Sequence, residues 1–183
     1  DVGNLHIDQY FGVWCVEPNV FGQLVNQANG RNLLQHIQAQ AAAASPLGRD
    51  RYEYQVDGTI AVVDLSGPLM KYTSSLSNGQ STVIARQQIR KAVADNGIDG
   101  IMVRIDSPGG TVAGTAELAD DVAAAAKRKP LTVYFDDLGA SAAFWVGAQG
   151  TRRYANASAL IGSVGTFAAI EDRSGMAENL GVK

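Results

Sequence analysis

Three short segments carry the residues best suited to chemistry. They are Asp106-Ser-Pro-Gly-Gly110, Asp136-Asp-Leu-Gly-Ala-Ser141 and Gly162-Ser-Val-Gly165. In the first, Pro108 fixes φ, and the paired glycines reach conformations closed to other residues. A helix expected from about Thr111 would leave backbone N–H groups free to receive a negative oxygen. The same residues would also suit an ordinary tight turn between a strand and a helix. In the second segment Ser141 stands among small residues just before the apolar stretch Phe144-Trp145-Val146. Such a serine can be a nucleophile with room for a substrate backbone, and the N–H of Ala142 would be a free donor at the helix start. It can equally be an N-cap, and the two roles are compatible.

A serine hydroxyl needs a base. The two histidines, His6 and His36, both lie far upstream of Ser141, so a Ser-His-Asp triad would have to reach back into the first fifty residues. Lysine is the other candidate, and it would need its pKa lowered from about 10.4 to about 7–8. The lysines are Lys71, Lys91, Lys127, Lys129 and Lys183. Lys91, Lys127 and Lys129 read as solvated helix charges, and Lys183 is the last residue. Lys71, in a polar loop after the first strand, is the only internal fallback.

The elements that must position these segments alternate along the chain. Thr59–Leu65, Gly100–Ile105 and Leu131–Phe135 are short, β-branched apolar runs, as in buried parallel strands. Between and after them lie expected helices at Ser81–Asp95 (with Val83, Ile84, Ile89 and Val93 on one side), Thr111–Lys127 and Ala140–Ala148. Two short strands, at Arg152–Ala155 and Ala159–Ile161, and a last helix at Asp172–Asn179 complete the pattern. Alternation of this kind predicts an α/β domain with a mostly parallel sheet, whose sites form at the carboxyl ends of strands. The first fifty residues differ. Tyr10 to Trp14 is an aromatic cluster, and the spacing from Phe21 to Ala44 suggests a helix stopped by Ser45-Pro46. We read residues 1–50 as an N-terminal arm or helix for docking or oligomer formation, and 51–183 as the main domain.

Composition narrows the function further. The chain has 183 residues, enough for one domain with a real core. It holds 20 Gly and 27 Ala, and only 18% of it is charged, so backbones pack closely. The net charge of −3 argues against a nucleic-acid surface. The single cysteine, Cys15, excludes an intrachain disulfide and any cysteine-rich zinc module. No cofactor or metal site is indicated. No apolar run reaches the length of a membrane span. The first residue, Asp1, points to a processed or trimmed start, and an earlier anchor stays open. The compartment stays open with it: cytoplasmic for a phage-type protein, membrane-associated if such an anchor exists.

Together, Asp106-Ser-Pro-Gly-Gly110, Gly139-Ala-Ser-Ala-Ala-Phe-Trp145 and Ile161-Gly-Ser-Val-Gly165 resemble the signal peptide peptidase A family of serine peptidases, including the phage members that act in head maturation. The resemblance spans roughly residues 58–183. It implies a Clp protease/crotonase-like fold of repeated ββα units, a homo-oligomer and a serine–lysine dyad without histidine. It implies Ser141 as nucleophile, the N–H groups of Ala142 and of Gly109 or Gly110 as oxyanion donors, and Ser163 as the residue that orients the lysine. The family lysine is expected beyond residue 183, so the chain reads as a fragment that is inactive alone. The implied substrate is an extended peptide or protein added as a strand to a sheet edge. Gly139, Ala140 and Ala142 suggest small side chains next to the cut. Two alternatives remain: a crotonase-like acyl-CoA enzyme, and a phage-type assembly or scaffold protein without activity.

Overall fold

A computed structural model describes residues 14–16, 22–23, 26, 53–72 and 80–165. In chain order the elements are β1 (Trp14–Val16), β2 (Gln55–Asp57), β3 (Ile60–Ser66), β4 (Leu69–Met70), β5 (Gln80–Ser81), α1 (Thr82–Ala94), β6 (Gly100–Ser107), β7 (Gly109–Thr111), α2 (Thr115–Ala126), β8 (Leu131–Ala140), α3 (Ala142–Gly147), β9 (Arg152–Ala155) and β10 (Leu160–Gly162). Residues 22–23 and 26 are helical, within the span expected to be helix. The expected helix at 172–179 and the boundary at residue 50 lie outside the described residues.

The large sheet runs β10-β8-β6-β3-β2, with β9 also on β8. β3, β6, β8, β9 and β10 pair in parallel, and β2 adds antiparallel to β3. The small sheet runs β1-β7-β4-β5. The chain thus repeats one move: a long strand in the large sheet (β3, β6), a short one in the small sheet (β4, β7), then a helix (α1, α2). This is an α/β fold with a mostly parallel sheet, consistent with the Clp protease-like class.

The sequence of the strands explains which face the helices cover. Ala61, Val63, Leu65, Ile101, Val103, Ile105, Leu131, Val133 and Phe135 alternate along β3, β6 and β8, and all are buried. The residues between them, including Asp64, Met102, Arg104 and Tyr134, are half-buried or exposed. This corrects the expectation of strands buried on both faces: α1, α2 and α3 all pack on the same face. On the other face Arg104 donates to Asp64 at 2.8 Å across β6 and β3.

The helices pack with small residues inward. α1 buries Thr82, Ala85, Ile89 and Ala92 rather than the Val83, Ile84 and Val93 face expected from hydrophobicity. Its alanines let α2 approach, and Arg86 and Arg90 bridge to Asp121 of α2 at 2.7 and 2.9 Å. Ser81 caps α1 by accepting from the Ile84 N–H at 3.3 Å. At the other end Tyr54 donates to Asp95 at 2.6 Å. Burial and that bond push the Tyr54 phenol up to about 12, and the same bond holds the Asp95 carboxyl below its ordinary value.

Candidate active site

The three segments singled out in the sequence end adjacent strands of one sheet. Ser107 pairs with Gly139, and Gly162 pairs with Ala140. The N–H of Gly67, at the end of β3, donates to Asp106 O at 2.9 Å, which ties a fourth strand end to the same place. The site therefore sits at the carboxyl ends of β3, β6, β8 and β10, as expected for a parallel sheet.

Ser141 joins β8 to α3. Its backbone stands at φ 54 and ψ −117, a strained conformation for a residue with a side chain. Two backbone bonds hold it there. The Ser141 N–H donates to Gly162 O at 3.0 Å, and Trp145 N–H donates to Ser141 O at 2.9 Å. The side chain makes no capping bond to α3. Ser141 thus occupies the N-cap position without doing what an N-cap hydroxyl does, and its half-buried side chain is left for another task. Ala142 is the first residue of α3, so its N–H has no acceptor within the helix.

Ser163 lies beside Ser141, one residue beyond the Gly162–Ala140 pair. It too has positive φ, 54°, and it is exposed. Two non-glycine residues with positive φ occur among the described residues, and both fall here.

The glycine pair does not open a helix as expected. Gly109, Gly110 and Thr111 form β7, and α2 begins at Thr115 behind a left-handed Gly114. The reason is steric. A Cβ on Gly110 would lie 2.5 Å from the carbonyl carbon of Leu69 and closer still to its oxygen. Without one, β7 can settle against β4, where Gly110 pairs with Leu69. Gly109 holds φ 99, which glycine tolerates. The loop has an anchor that sequence reasoning missed. Buried Ser107 donates from Oγ to Gly67 O at 2.7 Å and accepts from the Gly109 N–H at 3.2 Å. Only its place between the strand end and Pro108 hinted at this.

Small residues around Ser141 serve packing. Ala140 and Ala142 are buried, and a Cβ on Gly139 would lie 2.7 Å from Phe135 Cε1. A Cβ on Gly147 would meet the same ring atom at 2.8 Å. The Phe135 ring fills the space between β8 and α3, so these residues are spent on the core.

Two of the described lysines are bonded elsewhere. Lys129 donates to Ala92 O at 2.8 Å and Asp95 O at 2.5 Å, at the end of α1. Lys91 pairs with Glu53, and Lys127 is exposed. Lys71 lies with its Nζ 5.6 Å from the ring centre of Tyr72. His6, His36 and Lys183 lie outside the described residues. Among the described residues no group of three or more His, Cys, Asp or Glu is placed to hold a metal, and no helix is long and apolar enough to cross a membrane.

Known proteins match this chain along most of its length. Residues 123–183 match the model of Peptidase family S49. The chain is 34% identical over 140 residues to Capsid assembly protease C of Escherichia phage lambda, covering 74% of this chain and 31% of that protein. It is 32% identical over 126 residues to Protease 4 of Salmonella typhi, covering 68% of this chain and 20% of the relative. It is 32% identical over 120 residues to Head-tail preconnector protein GP5 of Enterobacteria phage P21, covering 62% and 23%. The chain spans less than a third of the length of each of these three relatives.

Proposed function

Because this chain belongs to peptidase family S49, we propose that it carries the nucleophile and oxyanion elements of a serine endopeptidase. The observation that supports this best is Ser141 itself. A strained serine at the start of a helix, held by two backbone bonds and relieved of capping, leaves its hydroxyl uncommitted to the helix, as a nucleophile awaiting its base would be. In this reading Ser141 Oγ attacks the scissile carbonyl. The N–H groups of Ala142 and of Gly109 or Gly110 receive the developing oxyanion, each worth about 2.7–4 kcal/mol when well aimed. Ser107 keeps Gly109 in place for that role, and the Gly109 N–H exchanges Ser107 Oγ for the oxyanion.

The proton goes to a lysine outside the described residues, expected beyond residue 183 and oriented by Ser163; the lysine returns it to the leaving amine as the peptide C–N bond breaks, and water then hydrolyses the acyl-serine. Of the four described lysines, Lys91 and Lys129 are bonded elsewhere, Lys127 is exposed, and Lys71 holds its Nζ 5.6 Å from the Tyr72 ring centre. Residues 1–183 alone are then inactive, or nearly so. The substrate is an extended segment of a protein. The phage relatives, one named for capsid assembly and one for the head–tail preconnector, support an assembly protein as that substrate. We also propose a homo-oligomer, supported by the exposed apolar residues Leu160, in β10, and Val164, two residues beyond it, which are 72% and 75% exposed.

The test is peptide cleavage by the complete protein and by its Ser141→Ala variant. Loss of turnover with an unchanged melting curve supports the reading. Full turnover by Ser141→Ala contradicts it. A crotonase-like acyl-CoA enzyme would not be labelled by a fluorophosphonate, whereas an activated serine would.

A further inference from the structure

β7 has both edges occupied. β4 lies parallel on one side, through the Leu69–Gly110 pair. On the other side lies β1, antiparallel, with Trp14 opposite Thr111, Cys15 opposite Gly110 and Val16 opposite Gly109. Residues 109–111 are buried, and α3, with Ser141 at its start, packs against β7. A peptide whose carbonyl is to reach the N–H of Gly109 must run along β7. β4 is fixed by its continuity with β3 and by β5 on its far side, so the only edge a peptide can take is the one β1 holds. β1 is a three-residue strand at the end of the small sheet, and its one strand partner among the described residues is β7, so it can leave without pulling β3 or β4 with it.

From this register we infer that β1 is an intramolecular stand-in for the substrate strand, and that a peptide reaches the oxyanion glycines by displacing it. The inference rests on the proposed peptidase function and adds a regulatory element to it. An antiparallel peptide entering here repeats the path of β1. Its residue at the position of Val16 faces Gly109, and the one before it faces Gly110. While β1 stays in place, binding is reduced by the fraction of molecules in which the edge is closed.

The experiment locks and unlocks this strand in the complete protein. Cys15→Ser removes the native thiol, and Trp14→Cys with Thr111→Cys places two thiols at paired positions. Oxidation should cut peptide turnover at least tenfold, and reduction should restore it, while a small fluorophosphonate still labels the serine in both forms. Equal turnover in the oxidised, cross-linked and reduced forms would overturn the inference and make β1 a permanent part of the small sheet. A second variant, Val16→Pro, removes one backbone donor from β1. It should lower KM for an extended peptide about tenfold with kcat unchanged, the effect of losing one or two backbone hydrogen bonds. A folded Val16→Pro variant with unchanged or raised KM would also overturn it. Failure of the probe to label any of these proteins would refute the serine-peptidase reading itself, which separates the two failures.

Discussion

Gly110→Ala tests the strand packing that brings the glycine loop to Ser141. The added Cβ would stand 2.5 Å from the carbonyl carbon of Leu69 and 2.7 Å from its nitrogen. Both atoms are backbone, so no side chain can swing away. The Leu69 oxygen is closer still, so to reach an ordinary contact near 3.4 Å, β4 and β7 must part by more than about 1 Å. Overpacking of this kind costs about 1–3 kcal/mol. At roughly 2–4 °C per kcal/mol for a domain this size, melting should fall by several degrees. The rate should suffer more than stability does. A 1 Å shift of a catalytic group can cost about a hundredfold, and Gly109 moves with Gly110. Thermal melting and peptide cleavage by the complete protein measure the two effects. Gly97→Ala is the control, because its Cβ meets only the Asp95 carboxylate, at 3.3 Å. A Gly110→Ala protein that melts and cleaves like the parent would refute the claim that this glycine lets β7 settle on β4.

Other outcomes follow from the same contacts. Ser107→Ala leaves Gly67 O and the Gly109 N–H without their partner, so it should cost about 1–3 kcal/mol in denaturant unfolding and lower kcat. Tyr54 keeps its proton in the folded state up to about pH 12, against 10.0 when unfolded. Its contribution is therefore complete below pH 10 and lost as pH rises through 12. The Asp95 contribution runs the other way and is lost as pH falls through its lowered value. Tyr54→Phe should flatten the alkaline limb and weaken the acid limb of a melting-versus-pH curve, and an unchanged curve would contradict both assignments. Light scattering of the complete protein at several concentrations should show an oligomer, and charges placed at Leu160 and Val164 should weaken it. A strict monomer would contradict an interface at these exposed residues.

Much of this was legible in the sequence because the signals were local. The apolar runs at 59–65, 100–105 and 131–135 marked the three central strands, and Ser81 marked the start of α1. The strand ends then had to converge, since parallel strands place their carboxyl ends together. What escaped depended on partners distant in sequence. Gly109–Thr111 was expected at a helix start because its strand partners, Leu69 and Trp14–Val16, lie 41 and 93 to 97 residues away. The small size of Gly139 suggested a groove, but the Phe135 ring fills the space beside it, and no local pattern reveals a ring packed across a strand–helix turn. Ser107 looked like an ordinary turn residue, and only the Gly67 carbonyl opposite shows why a hydroxyl is needed there. Ser141 was visible as a candidate, while its freedom from capping could be seen only in the backbone angles.

The most direct test of the central claim is fluorophosphonate labelling of the complete protein, with the modified residue located by mass spectrometry. The account predicts one adduct, on Ser141, that forms faster as pH rises and is absent from Ser141→Ala. No adduct, or an adduct on another serine that persists in Ser141→Ala, would contradict it.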